Sequence, residues 1–204
     1  MTTNTRVSAA PKRSLNWRVV DIVVASVLGV ACGFVFLGWN AVGYAWFEAM
    51  DALTPGLGGI ATGIWLIGGV LGGLIIRKPG AAIYVEVLAA TVSAVLGSQW
   101  GISTLYSGLA QGIGVEIILA IFLYRKFGLG VSILSGMAAG WGAFILELFT
   151  SGNLARSFEF NLIYLVTLSI SGAVLAGALG FFLVKALAKT GGLDRFAAGR
   201  EQRA

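Results

Sequence analysis

Three glutamates, Glu86, Glu116 and Glu147, lie inside long apolar stretches of a 204-residue chain that contains no histidine. An ionised side chain in hydrocarbon costs roughly 2.5–3.5 kcal/mol or more, so each carboxylate needs a partner that offsets that cost. No lysine or arginine lies at comparable depth in these stretches. What remains is a proton, water, neutral hydrogen-bond donors or a cationic ligand. Gln111, Asn40 and Tyr84, with Gln99 and Tyr106, supply directional polar groups nearby in the sequence pattern. Trp65 and Trp141 fall about 10–12 Å below the outer ends of their predicted helices. Trp17, Trp39, Trp46 and Trp100 sit instead at predicted boundaries, the ordinary place for tryptophan at a membrane interface. Carboxylates beside aromatic faces suit a flat, partly cationic organic ligand, held by charge-assisted hydrogen bonds, stacking and cation–π contact.

The same residues argue against catalysis. With Cys32 the single cysteine and no histidine, neither a disulfide within one chain nor an ordinary Cys/His metal site can form. Common hydrolase constellations lack their base or nucleophile. No Gly-x-x-x-x-Gly-Lys-Ser/Thr loop is present to bind a nucleotide. The chain reads as a non-enzyme without resident metal or cofactor.

The elements that must position the glutamates follow from composition. The chain is 57% hydrophobic and 11% charged, with 30 glycines and three prolines, a balance of membrane proteins. Six apolar runs, 19–38, 59–76, 81–97, 103–124, 130–149 and 161–186, are near the length of a membrane span and predict helices, because lipid leaves no backbone group unpaired. The fold expected is an all-α membrane protein, a compact bundle of six transmembrane helices at 19–188 between tails at 1–18 and 189–204. All but Arg156 of the 14 basic residues then fall on one side, which places both termini in the cytoplasm of a multi-pass plasma-membrane protein. This clustering accounts for the net charge of +5 without nucleic acid as a partner. Among the outer connections 39–58, 98–102 and 150–160, the first is long and aromatic enough to act as a lid or an interfacial belt. Asp21, three residues after Arg18, reads as a structural group in the first turn of its helix.

Small residues recur at four-residue spacing, as in Gly68/Gly72, Gly136/Gly140 and Gly172/Ala176/Gly180, and let helices approach closely. Packing within the chain is their default use. The stripe Ala25, Gly29 and Gly33 on the first helix is the candidate for docking a partner membrane subunit. Glu86, Glu116 and Glu147 extend such stripes and so point into the bundle. At 1.5 Å per residue, Glu86 lies roughly 12 Å from Lys78 and Glu116 roughly 13–14 Å from Arg125, which puts these two at one level and Glu147 nearer the outer surface.

Three segments carry a family resemblance: Asn16-Trp17-Arg18-Val19-Val20-Asp21-Ile22, Arg77-Lys78-Pro79-Gly80-Ala81-Ala82 through Tyr84 and Glu86, and Leu109-Ala110-Gln111-Gly112-Ile113-Gly114-Val115-Glu116. The chain resembles the substrate-binding S components of energy-coupling-factor (ECF) transporters, of the YkoE type associated with thiamine or its hydroxymethylpyrimidine precursor. The resemblance implies a six-helix vitamin-uptake subunit with its pocket near the outer face, energised by a transmembrane coupling subunit and two ATPase domains on other chains. Glu86, Glu116, Glu147, Gln111, Trp65, Trp141, Tyr84 and Asn40 are the candidate ligand contacts. Two other classes fit the residues: a self-sufficient proton-coupled carrier or channel with the glutamates as a relay, and a membrane assembly protein that uses the glycine stripes.

Overall fold

The structure, a computed structural model, describes residues 14–201. Residues 1–13 of the expected tail at 1–18, and residues 202–204 of that at 189–204, lie outside the described residues. Helix α1, Val19–Leu53, is 35 residues long and spans about 52 Å, well beyond the roughly 30 Å of a hydrocarbon core. The segment 39–58 is therefore no loop: the helix runs on to Leu53, and the first strong breaker is Pro55-Gly56, where Gly56 adopts φ 97°. A 3-10 helix, Leu57–Leu66, leads into α2, Ile67–Ile76, in which every residue is buried. Helices α3 (Ala81–Val95), α4 (Ser103–Ile121) and α5 (Leu129–Thr150) follow. A 3-10 turn at Asn153–Ala155 precedes α6, Phe158–Ser171, which passes through a π-helical segment, Gly172–Ala178, into α7, Leu179–Lys189. A short α8, Ala197–Arg200, ends the described chain.

Five of these helical stretches are long and apolar enough to cross a membrane, and α3, at 15 residues, is a shorter apolar helix. Packing runs α1, α3, α4, α5, α6 and back through the 3-10 segment to α1, with α2 in the middle. The close approaches rest on absent side chains. A Cβ on Gly114 would strike the Ala138 carbonyl of α5, and one on Gly136 would strike the Gly172 carbonyl of the π segment. The proposed docking stripe is used in the same way. Ala25 is fully buried, and a Cβ on Gly29 or Gly33 would lie 2.8 Å from Leu88 or 2.6 Å from Val92 on α3. The stripe on α1 thus seats α3 and is not offered to a partner.

The end of the bundle that carries the first and last described residues is tied by charge. Asp21 has no exposure, accepts from the Arg18 backbone (2.7 Å) and guanidinium (2.7 Å), and forms an ion pair with Lys78. Lys78 also donates to the Asn16 carbonyl, and the Trp17 indole donates to the Pro79 carbonyl at 2.9 Å. The structural reading of Asp21 holds, with Lys78 as a partner that local spacing did not reveal. The segment after 189 is not a separate tail: Leu193, Phe196 and Ala198 are buried, and Glu201 pairs with Arg77 at 2.6 Å.

Candidate functional site

Opposite that end, six elements surround a cavity of about 490 Å³. The C-terminal half of α1 contributes Asn40, Tyr44, Phe47 and Asp51; the 3-10 helix contributes Thr62 and Trp65. Glu86 and Ser93 come from α3, Tyr106 and Gln111 from α4, Glu147 from α5 and Tyr164 from α6, with Trp100 on the connection before α4.

The deepest polar group is Glu86, which has no exposure. One of its oxygens accepts from the backbone N–H of Gly69, in the first turn of α2. The chain converts from 3-10 to α winding at Ile67, so the positive end of α2 begins inside the bundle, and Glu86 caps it. The other oxygen lies 3.1 Å from the side-chain nitrogen of Gln111 when that amide is turned to donate, and the same nitrogen then donates to the Trp65 carbonyl at 3.1 Å. Glu86 is thus satisfied without a basic residue, by one backbone amide and one side-chain amide.

The walls are aromatic and locked. Asn40 accepts from the Trp65 indole at 2.8 Å and donates to Ser93 at 3.2 Å, which fixes both rings and amide. Trp65 meets Trp100 edge to face at 5.6 Å and Trp39 at 6.5 Å; Tyr44 meets Trp100 at 5.3 Å and stacks on Phe47 at 6.1 Å. Phe47 in turn meets Tyr164 at 6.2 Å. Tyr164 donates to Glu147 at 2.6 Å, and Asp51 accepts from the Gly56 backbone at 2.7 Å. Arg156 is the one basic residue lining the cavity, and its guanidinium lies 4.3 Å from the Phe160 ring centroid. The lining thus sets three carboxyl groups beside one guanidinium.

Five of the eight candidate ligand contacts meet here, Glu86, Glu147, Gln111, Trp65 and Asn40, together with Tyr106. Three lie elsewhere. Glu116 accepts from the backbone N–H of Gly80 (2.6 Å) and Ala82 (3.1 Å) and from the Tyr124 hydroxyl (2.7 Å), so it caps α3 near the other end of the bundle. It does not share a level with Glu86, which sits four residues, about 6 Å, further along α3 than Ala82. Trp141 is 38% exposed and donates to Ser169 at 2.9 Å, outside the cavity lining. Tyr84 is 39% exposed, bonds Ser26 at 2.7 Å and packs edge-on to Trp17. Exposure follows the facing of the side chain around its helix, which depth along the chain does not determine. Trp100, Phe47, Asp51 and Tyr164 were missed as lining residues.

A multi-helix membrane bundle that holds an aromatic-walled, carboxylate-bearing cavity at one end is a membrane-embedded binding protein. A family model described as the permease component of an ABC-type cobalt transport system matches residues 20–142. The chain is 37% identical over 190 residues to an HMP/thiamine permease protein of Bacillus subtilis (strain 168), YkoE, covering 91% of this chain and 92% of that one. It also superposes on the crystal structure of an S-component of ECF transporter with TM-score 0.78 and 34% identity, over 92% of this chain and 94% of the other. The chain belongs to the YkoE-type S components of ECF transporters. It is accordingly a substrate-binding uptake subunit and a multi-pass membrane protein.

Proposed function

We propose that the cavity captures thiamine or its hydroxymethylpyrimidine precursor at the outer face of the membrane. The observation that carries this reading is the joining of three carboxylates to a continuous aromatic wall. A flat nitrogen heterocycle packs against the wall that Trp65, Trp100 and Tyr44 form together, where its ring contacts are edge-to-face or stacked. Gln111, held by Glu86 and the Trp65 carbonyl, supplies directional hydrogen bonds, and Glu147 and Asp51 meet positive charge. The permease named for HMP and thiamine supports the same ligand class. The cobalt of the family description finds less support in the donors. The chain has no histidine, and among the described residues no group of three His, Cys, Asp or Glu side chains clusters, whereas cobalt favours nitrogen-rich sites.

In this reading α3 is the sixth crossing, both termini are cytoplasmic, and a coupling subunit with two ATPase domains on other chains supplies the energy. Basic residues concentrated at the terminal end of the bundle support that orientation. The C-terminal half of α1 overhangs the cavity as rigid helix, so access is governed by its packing and not by a loop closing.

Tryptophan fluorescence tests the proposal directly. Thiamine or hydroxymethylpyrimidine titrated into purified protein quenches emission saturably, and Glu147→Gln weakens thiamine binding by at least tenfold, the loss of one buried charge-assisted contact. Saturable binding of neither compound would overturn the ligand assignment. Ligand-driven proton flux in vesicles holding this chain alone would point instead to a self-sufficient carrier.

A further inference from the structure

A second cavity, of about 370 Å³, lies at the end of the bundle that carries the first and last described residues, between the end of α2, the α4–α5 connection and α7. It has nothing to do with the site above. Arg77, Arg125 and Lys185 line it, and the acidic lining residue is Glu201. Its remaining wall is apolar, with Phe127 and Phe181 prominent. The cations are organised by these rings. The Arg77 guanidinium lies 4.5 Å from the Phe127 centroid, and the Lys185 ammonium 4.9 Å from that of Phe181.

We propose that this cavity binds a phosphate-bearing anion with an apolar tail beside it, the chemistry of an anionic phospholipid headgroup. Among the described lining residues three cations stand against one carboxylate, and guanidinium with ammonium is the donor set for phosphate oxygens. The rings and aliphatic wall suit the glycerol and acyl portion, not a hydrated ion. Location agrees: α7 presents Phe182, Leu183 and Leu187 on its exposed side next to the site, at the depth where basic side chains between helices meet headgroups. Glu201 acts as the resident anion. Its carboxylate holds Arg77 at 2.6 Å and is 61% exposed, whereas the Arg77 side chain is 7% exposed, so an incoming phosphate takes the place of a solvent-facing carboxylate. The chain end that bears Glu201 then competes with lipid for one guanidinium.

The test is native mass spectrometry of delipidated protein offered equal phosphatidylglycerol and phosphatidylcholine. Wild type retains phosphatidylglycerol preferentially; Lys185→Gln and Arg125→Gln each reduce that retention by about fivefold, and Glu201→Gln raises it. A parallel arm adds inorganic phosphate or pyrophosphate and follows thermal unfolding. Stabilisation of wild type by these ions, lost in Lys185→Gln, assigns the same site to a soluble phosphate source. The proposal fails if phosphatidylglycerol is held no better than phosphatidylcholine and the ions have no effect. It fails equally if folded Lys185→Gln and Arg125→Gln proteins match wild type in both arms.

Discussion

Replacing Glu116 by glutamine separates a ligand contact from a helix cap. One carboxylate oxygen receives both the Gly80 amide and the Tyr124 hydroxyl, and the other receives the Ala82 amide. Glutamine keeps one acceptor and turns the other into a donor that faces an N–H or an O–H. The loss is one charge-assisted hydrogen bond, about 1.5–3 kcal/mol, together with about 0.3–1 kcal/mol of favourable interaction with the α3 N-terminus. A total of about 2–4 kcal/mol corresponds to a fall in melting midpoint of about 4–16 °C for a chain of this size. Thermal unfolding in detergent followed by intrinsic fluorescence measures that fall, and ligand titration well below the midpoint measures affinity. The expected result is a lower midpoint with affinity within twofold of wild type. An unchanged midpoint with tenfold weaker binding would refute the placement of Glu116 and return it to the cavity.

Two other substitutions examine the packing and the ionic tie. Gly33→Leu drives a branched side chain into Val92, where a Cβ alone would come within 2.6 Å, so the isolated protein loses about 1–3 kcal/mol in thermal unfolding; a stable monomer that merely failed to assemble with other subunits would contradict the seating of α3 on this stripe. Lys78→Met leaves Asp21 buried with Arg18 alone and costs about 3 kcal/mol, and adding Asp21→Leu to Lys78→Met recovers part of it, since an unpaired buried charge is worse than none. Midpoints of the single and double variants, compared with that of Asp21→Leu, give the coupling between the two residues.

The apolar runs and the inward direction of the glutamates were legible because lipid permits few backbone solutions and helical spacing fixes which residues share a face. Inward is not the same as cavity-lining. Glu86 and Glu116 stand on similar small-residue faces, yet one meets the start of α2 and the other the start of α3, termini supplied by distant turns at Leu66 and Gly80. Trp100 looked like a boundary marker because it follows a Gly-Ser-Gln turn, and only the fold shows that this boundary closes the cavity wall. Asp51 and Phe47 were visible in an aromatic segment but were assigned to a loop. The stronger signal was the absence of proline between Pro11 and Pro55, which lets α1 continue to Leu53. Tyr164 carried no comparable sequence signal; its role arises from Glu147, 17 residues away on α5.

The 3-10 helix at Leu57–Leu66 is unusually long for its kind, as runs beyond three or four residues are uncommon. Ten residues wound at about 2.0 Å each, followed by ten at about 1.5 Å, advance the chain some 35 Å where a uniform α-helix would advance 30 Å. The chain thus reaches from the mouth of the cavity past Glu86 to the opposite end with about three fewer residues. The winding also changes the repeat: side chains three apart eclipse one another, as Thr62 and Trp65 do on the cavity side. In a saturation scan the partly exposed Leu57 and Ile60, three residues apart, will therefore tolerate change, and the fully buried α2 that follows will not, so the change of winding leaves a rhythm in the mutational record.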